Sequence, residues 1–162
     1  MYSIGIITAS DKGSRGERED VSGQVIKEIL TDLGEVKHYI VVPDERMALE
    51  EQMKFMADRI HIDLILTTGG TGLGPRDVTP EATLAVIDRL VPGIPEVMRA
   101  KSLEKTSRAM LSRAVAGIRG STLIINLPGS PKGVRECLEF ILPALDHGLA
   151  IMKGEAGECA RP

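Results

Sequence analysis

Aromatic side chains are nearly missing: two Tyr, two Phe and no Trp serve all 162 residues. Proteins that hold single strands stack bases on aromatic platforms, and so few rings do not build one. Charge of one sign is missing as well. Twenty Lys and Arg against 23 Asp and Glu leave a net charge of -3, which sets up no broad field for a polyanion. Nucleic acid is therefore not an expected partner. Cysteine is scarce: Cys137 and Cys159 are the only thiols and lack metal-type spacing, so a reduced, cytoplasmic compartment is expected rather than a disulfide scaffold. No apolar run approaches the ~20 residues of a membrane-spanning helix. Met1 to Ile4 leads directly into a short apolar strand, without the basic stretch, apolar core and cleavage site of a secretion signal. No membrane partner is expected.

With 43% hydrophobic and 27% charged residues, the chain can bury one ordinary core. Residues 1–153 are read as that domain. Residues 154–162 offer little to bury and are read as a flexible tail. Ile4–Ala9, Leu64–Thr68 and Thr122–Leu127 are short, almost continuous apolar runs, the pattern of strands covered on both faces; Val36–Val42 is a fourth candidate. Between them Val25, Ile26, Ile29, Leu30 and Leu33, and then Leu49, Met53, Met56 and Ile60, recur at helical spacing. Alternating strands and helices predict an α/β fold with a mostly parallel sheet and helices on both faces. Thr79 is the expected N-cap of a helix running to about Leu90, with Pro80 in its first turn. Pro92, Gly93 and Pro95 break the pattern before a further helix from Pro95. Ala114–Ile118 is expected to pair antiparallel with Thr122–Leu127 through a turn at Arg119 and Gly120. A last helix carries Leu138, Ile141, Leu142, Leu145, Leu149 and Met152, with a kink or break at Pro143.

The most informative stretch, TTGGTGLGPRDVTP from Thr67 to Pro80, begins at the carboxyl end of a strand and finishes at a helix N-terminus, where open parallel sheets bind ligands. Gly69, Gly70, Gly72 and Gly74 free the backbone to bring its N–H groups close to a phosphate, and the helix end adds partial positive charge. A turn that only lets strand and helix pack is the competing account. The stretch lacks the Gly-Lys-Ser/Thr ending of a P-loop, and its glycine spacing does not fit the dinucleotide fingerprint.

Asp77 follows the glycines, and Asp44 with Glu45 follows the second strand. If both strands end at one rim, these carboxylates can hold Mg²⁺ against a polyphosphate. Helix capping is the competing account of Asp44, and a turn or capping role that of Asp77. The last strand delivers Pro128, Gly129, Ser130 and Lys132 to the same rim, either to grip an anionic or heterocyclic ligand or simply as a good turn. The first strand ends in Thr8, Ala9, Ser10 and Asp11, with Asp20 and Ser22 opening the next helix; Ser22 is a candidate cap. His38, His61 and His147 show no ligand spacing.

TTGGTGLGPRDVTPEAT (67–83), VVPDE (41–45), MLSRAVAGIRGSTLIINLPGSPKG (110–133) and ECLEFILPAL (136–145) resemble the Mog family of molybdopterin adenylyltransferases, and are similar to the corresponding domains of gephyrin and plant Cnx proteins. The likeness covers nearly the whole chain. It implies a three-layer molybdopterin-binding fold, a homotrimer, and Mg²⁺-dependent transfer of AMP from ATP to the molybdopterin phosphate with release of pyrophosphate. A molybdate-insertion enzyme of the same pathway is the partner it implies. Carried over by motif, Asp44 and Asp77 are the catalytic and metal-binding pair, Gly69, Gly70, Thr71 and Gly72 the phosphate-side loop, and Pro128, Gly129 and Ser130 the pterin-side loop. Ser10 and Asp11 complete the expected substrate contacts. Related MoaB-type proteins share the glycine loop, so a non-catalytic molybdopterin carrier or scaffold is the alternative.

Overall fold

A computed structural model describes residues 1–156. Its centre is a six-stranded sheet in the order β2-β1-β3-β6-β5-β4. β1 (Tyr2–Ala9), β2 (Gly34–Val42), β3 (Leu64–Thr68) and β6 (Thr122–Leu127) run parallel. β5 (Ala116–Arg119) and β4 (Arg89–Leu90) extend one side antiparallel. Strand side chains alternate between faces, and the core divides accordingly. Ile4, Ile6, Leu64, Leu66, Leu123 and Ile125 pack with Val25, Ile26, Leu138 and Ile141. Ile7, Ile65 and Ile124 pack on the other face with Leu49, Met53, Met56, Ala82 and Val86. Helices α2 (Val21–Ile29), α5 (Gly93–Leu103) and α6 (Pro131–Met152) thus cover one face, and α3 (Arg46–Lys54) and α4 (Thr79–Val86) the other; α1 (Asp11–Ser14) is a single turn at the rim. Three layers result, because every residue of β3 and β6 is buried and needs apolar cover on both sides. Among the described residues no helix is long and apolar enough to cross a membrane.

Several boundaries differ from expectation for identifiable reasons. α4 stops at Val86 because Ile87 is already extended and Arg89 and Leu90 pair with Ile118 and Gly117. Its N-cap is Val78. The Thr79 hydroxyl instead donates to Gly69 O at 2.9 Å. α5 starts at Gly93, two residues early. Arg119 pairs with Thr122, which moves the hairpin turn to Gly120 and Ser121, with Gly120 at φ 56°. A π turn over Phe55–Arg59 extends α3 and swings Ile60 out to 39% exposure, while Ile62 is buried. Pro143 does not interrupt α6, which runs unbroken from Pro131 to Met152. The buried stripe Leu138, Ile141, Leu145 and Leu149 anchors the helix on either side of the proline. Cys159 and most of the expected tail lie outside the described residues.

Candidate functional site

Parallel register decides where the chemistry can gather. Ala9 pairs with Val42, Thr8 with Thr68, and Thr68 with Leu127, so β1, β2, β3 and β6 finish in one row. The loops leaving these strands therefore share a rim, the position at which open α/β sheets hold ligands. A hollow of about 600 Å³ opens there, lined among others by Thr8, Ser10, Asp20, Asp44, Gly69, Gly70, Asp77, Gly129 and Ser130. Thr71, Gly72 and Pro128 face a second hollow of about 310 Å³, together with Met98, Arg99, Ser102, Arg108 and Cys137. Ser130 lines both. Lys132 lines neither.

The glycine loop takes its course because two residues sit at positive φ, Gly69 at 92° and Gly70 at 69°. Other residue types rarely adopt such angles. A Cβ on Gly70 would stand 2.3 Å from Thr79 Oγ1 and 3.3 Å from Asp44 Oδ1, so the loop lies directly against both. Thr79 ties the loop to α4: its N–H donates to Gly70 O at 3.1 Å and its hydroxyl to Gly69 O at 2.9 Å. Farther along, Gly74 N–H donates to Asp77 Oδ2 at 2.8 Å and Asp77 N–H to Gly74 O at 3.0 Å. The turn role expected for Asp77 is therefore real, and it uses only one carboxylate oxygen.

Asp44 does not cap α3. Glu45 occupies that position without a side-chain bond, and the Asp44 carboxylate turns toward the first residue of α1. Asp11 N–H donates to Asp44 Oδ2 at 3.0 Å, and Asp44 N–H returns a bond to Asp11 Oδ1 at 3.0 Å. Arg76 then grips the Asp11 carboxylate with Nε at 3.0 Å and Nη2 at 2.8 Å. Asp11 is thus occupied by protein partners, and the Arg76 guanidinium holds its carboxyl below the usual carboxylate range. Asp44 moves the other way. Burial raises its pKa, the charges of Asp11 and Asp77 add to the rise, and the bond from the Asp11 backbone opposes it. A carboxylate desolvated beside two others is one that a cation would relieve.

Two groups outside the expected set organise the rim. Asp20, not Ser22, caps α2 by accepting from Gly23 N–H at 3.0 Å, and it also accepts from the Thr8 hydroxyl at 2.6 Å and from the Tyr39 hydroxyl. Burial, then Asp20, pushes the Tyr39 phenol up. Ser22 donates instead to Gly129 O at 2.7 Å, and Ser130 caps α6 through Gly133 N–H at 3.1 Å. Arg113, just before β5, donates to Gly72 O at 2.7 Å and Asp77 O at 2.6 Å and pairs with Glu81. No side-chain pattern betrays Arg113, because most of its acceptors are main-chain carbonyls. Arg76 had a weak signal in its place beside Asp77.

Residues 5–147 match the family described as "Probable molybdopterin binding domain". The chain belongs to this family. A protein of Helicobacter pylori strain J99 named molybdopterin adenylyltransferase is 47% identical over 154 residues, covering 93% of this chain and 88% of its own length. Among solved structures, the molybdopterin biosynthesis enzyme MoaB of Thermus thermophilus superposes with a TM-score of 0.89 at 53% identity, covering 98% of this chain and 100% of that one. A tungsten cofactor synthesizing protein MoaB of Pyrococcus furiosus gives 0.86 at 40% identity, over 94% and 97% of the two chains. In this molybdopterin-binding domain the glycine loop and the acidic pair therefore stand within the matched region.

Proposed function

We propose that the chain is a molybdopterin adenylyltransferase of molybdenum cofactor biosynthesis, which transfers AMP from ATP to the molybdopterin phosphate and releases pyrophosphate. The observation that carries this reading is the meeting of Asp44, Asp77, Gly69 and Gly70 in one hollow, in a chain whose relative over nearly its full length bears that name. A terminal phosphate oxygen of the pterin bonds to the α-phosphorus as the bond from that phosphorus to the bridging oxygen breaks, and pyrophosphate leaves. Two polyanions must approach, so catalysis rests on positioning and charge neutralisation rather than on a covalent nucleophile. The backbone N–H of Gly70 holds a phosphate, while that of Gly69, which donates to Leu127 O at 3.3 Å, fixes the loop on β6. Thr71 and Gly72 extend that loop toward the smaller hollow, and Pro128, Gly129 and Ser130 seat the pterin. Ser10 contacts substrate from β1, whereas Asp11 acts through Asp44.

The donor set suits Mg²⁺, which takes one or two carboxylates and completes its shell with water and phosphate oxygens. Among the described residues no group of three or more His, Cys, Asp or Glu forms a cage for a metal. Asp44 and Asp77 would hold the ion, and it would neutralise phosphate charge during transfer. The same reading makes the chain a cytoplasmic homotrimer that passes its product to a molybdate-insertion enzyme. An apolar groove of about 510 Å³ between α5 and α6, lined by Ile94, Val97, Phe140 and Ile151, supports a subunit contact there.

Incubation with ATP, Mg²⁺ and molybdopterin tests the activity. Adenylylated pterin and pyrophosphate are expected in equal amounts. Pterin bound without pyrophosphate release would make the chain a carrier instead. Sedimentation of the purified protein tests the trimer.

A further inference from the structure

We propose that Arg113 is a positioning residue for this chemistry, a staple that fixes the turn carrying Asp77; the inference rests on the adenylyl-transfer reading. The turn from Gly72 to Asp77 is rich in glycine and carries little apolar anchorage, with Leu73 66% exposed. Left to itself such a segment samples many conformations. One guanidinium spans it. Nε takes the carbonyl of Gly72 at the start, at 2.7 Å, and Nη2 takes the carbonyl of Asp77 at the end, at 2.6 Å. Nη1 pairs with Glu81 in the first turn of α4. The backbone joins in, since Arg113 N–H donates to Thr71 O at 2.9 Å.

Arg113 is itself held. Arg99, from α5, donates to Ala114 O at 3.0 Å and Ser112 O at 3.4 Å, the carbonyls on either side of it. Residues 112 and 114 and Arg99 also line the smaller hollow. The wall of one hollow is therefore continuous with the support of a carboxylate in the other. A planar fork is needed: lysine supplies a point charge that can keep Glu81 but cannot span both carbonyls.

The test uses Arg113→Lys with Arg119→Lys as its control. Arg119 forms a similar fork, to Asp58 at 2.9 and 2.7 Å and to Val86 O at 2.7 Å, at the end of β5 away from the rim. Arg113→Lys is expected to lower kcat roughly 100-fold, the scale of a small misplacement of reacting groups, with the loss in kcat rather than in KM for ATP. Amide exchange across residues 71–77 should accelerate, while β1 and β6 stay protected. Arg119→Lys should leave both kcat and exchange in that turn as in the wild type. Wild-type kcat in Arg113→Lys, unchanged exchange in the turn, or an equal kcat loss in Arg119→Lys overturns the proposal. A wild-type protein that releases no pyrophosphate sinks the adenylyl-transfer reading instead, and the exchange measurement, which needs no substrate, still decides whether Arg113 holds the turn.

Discussion

Replacing Gly70 by alanine adds a single methyl group at the most crowded point of the rim. The residue sits at φ 69°, where an L side chain costs about 1–2 kcal/mol. The new Cβ would stand 2.3 Å from Thr79 Oγ1, well inside any tolerable contact. Thr79 cannot easily yield, because it is fully buried and its hydroxyl is held by Gly69 O. Overpacking of this kind costs about 1–3 kcal/mol, for a total near 2–5 kcal/mol. At about 2–4 °C per kcal/mol for a chain of this size, Tm should fall by roughly 4–20 °C. The methyl also lies 3.3 Å from Asp44 Oδ1, so kcat should fall about 100-fold even where the protein remains folded. Gly120→Ala separates the two contributions. That glycine has φ 56°, but a methyl placed on it would meet no atom within 4 Å, so it carries the conformational cost alone and should keep full activity. Differential scanning calorimetry and pyrophosphate release on both variants provide the check. If Gly70→Ala melts with Gly120→Ala and turns over at the wild-type rate, the loop is not packed against Thr79 and Asp44.

Asp77→Asn keeps an oxygen for Gly74 N–H and should leave circular dichroism unchanged while adenylyl transfer is lost; product formed at the wild-type rate removes Asp77 from the mechanism. Asp44→Asn should also lose activity, yet raise Tm at neutral pH. Because burial raises the folded-state pKa of Asp44, protonation favours the fold, and that contribution, complete below the unfolded pKa, is lost as pH rises through the folded value. The Tm gap between variant and wild type should therefore close as pH falls through that value, and a gap that widens on acidification contradicts the sign. Asn126→Ala removes the acceptor of Val115 N–H and the donor to the buried Thr67 and Thr83 hydroxyls, of which Thr83 keeps its bond to Thr79 O, at about 2–4 kcal/mol. A urea midpoint equal to the wild type at unchanged slope would refute that network.

Strands buried on both faces announce themselves by composition, which is why β1, β3 and β6 could be read almost to the residue. β4 could not, since Arg89 and Leu90 are both exposed and owe their pairing to β5 rather than to any pattern of their own. The rim was legible because parallel strands send their trailing loops to one edge, and the residues that follow these four are polar, glycine or proline. The division of that rim into two hollows was not. Thr71 and Gly72 sit next to Gly70 in sequence yet face the other way, a consequence of backbone angles that no residue type alone dictates. Asp11 shows the same limit: its carboxylate points at Arg76, and that partner lies 65 positions away.

The common finishing row of four strands makes length, rather than identity, the protected quantity of the sheet. A valine for isoleucine inside β3 leaves every loop where it was. Deleting one residue there would pull the glycine loop back by about 3.3 Å and hand each inward side chain to the opposite face. Insertions and deletions in descendants of this chain should therefore spare the four central strands and collect at exposed turns away from the rim, such as Gly120 and Ser121 between β5 and β6.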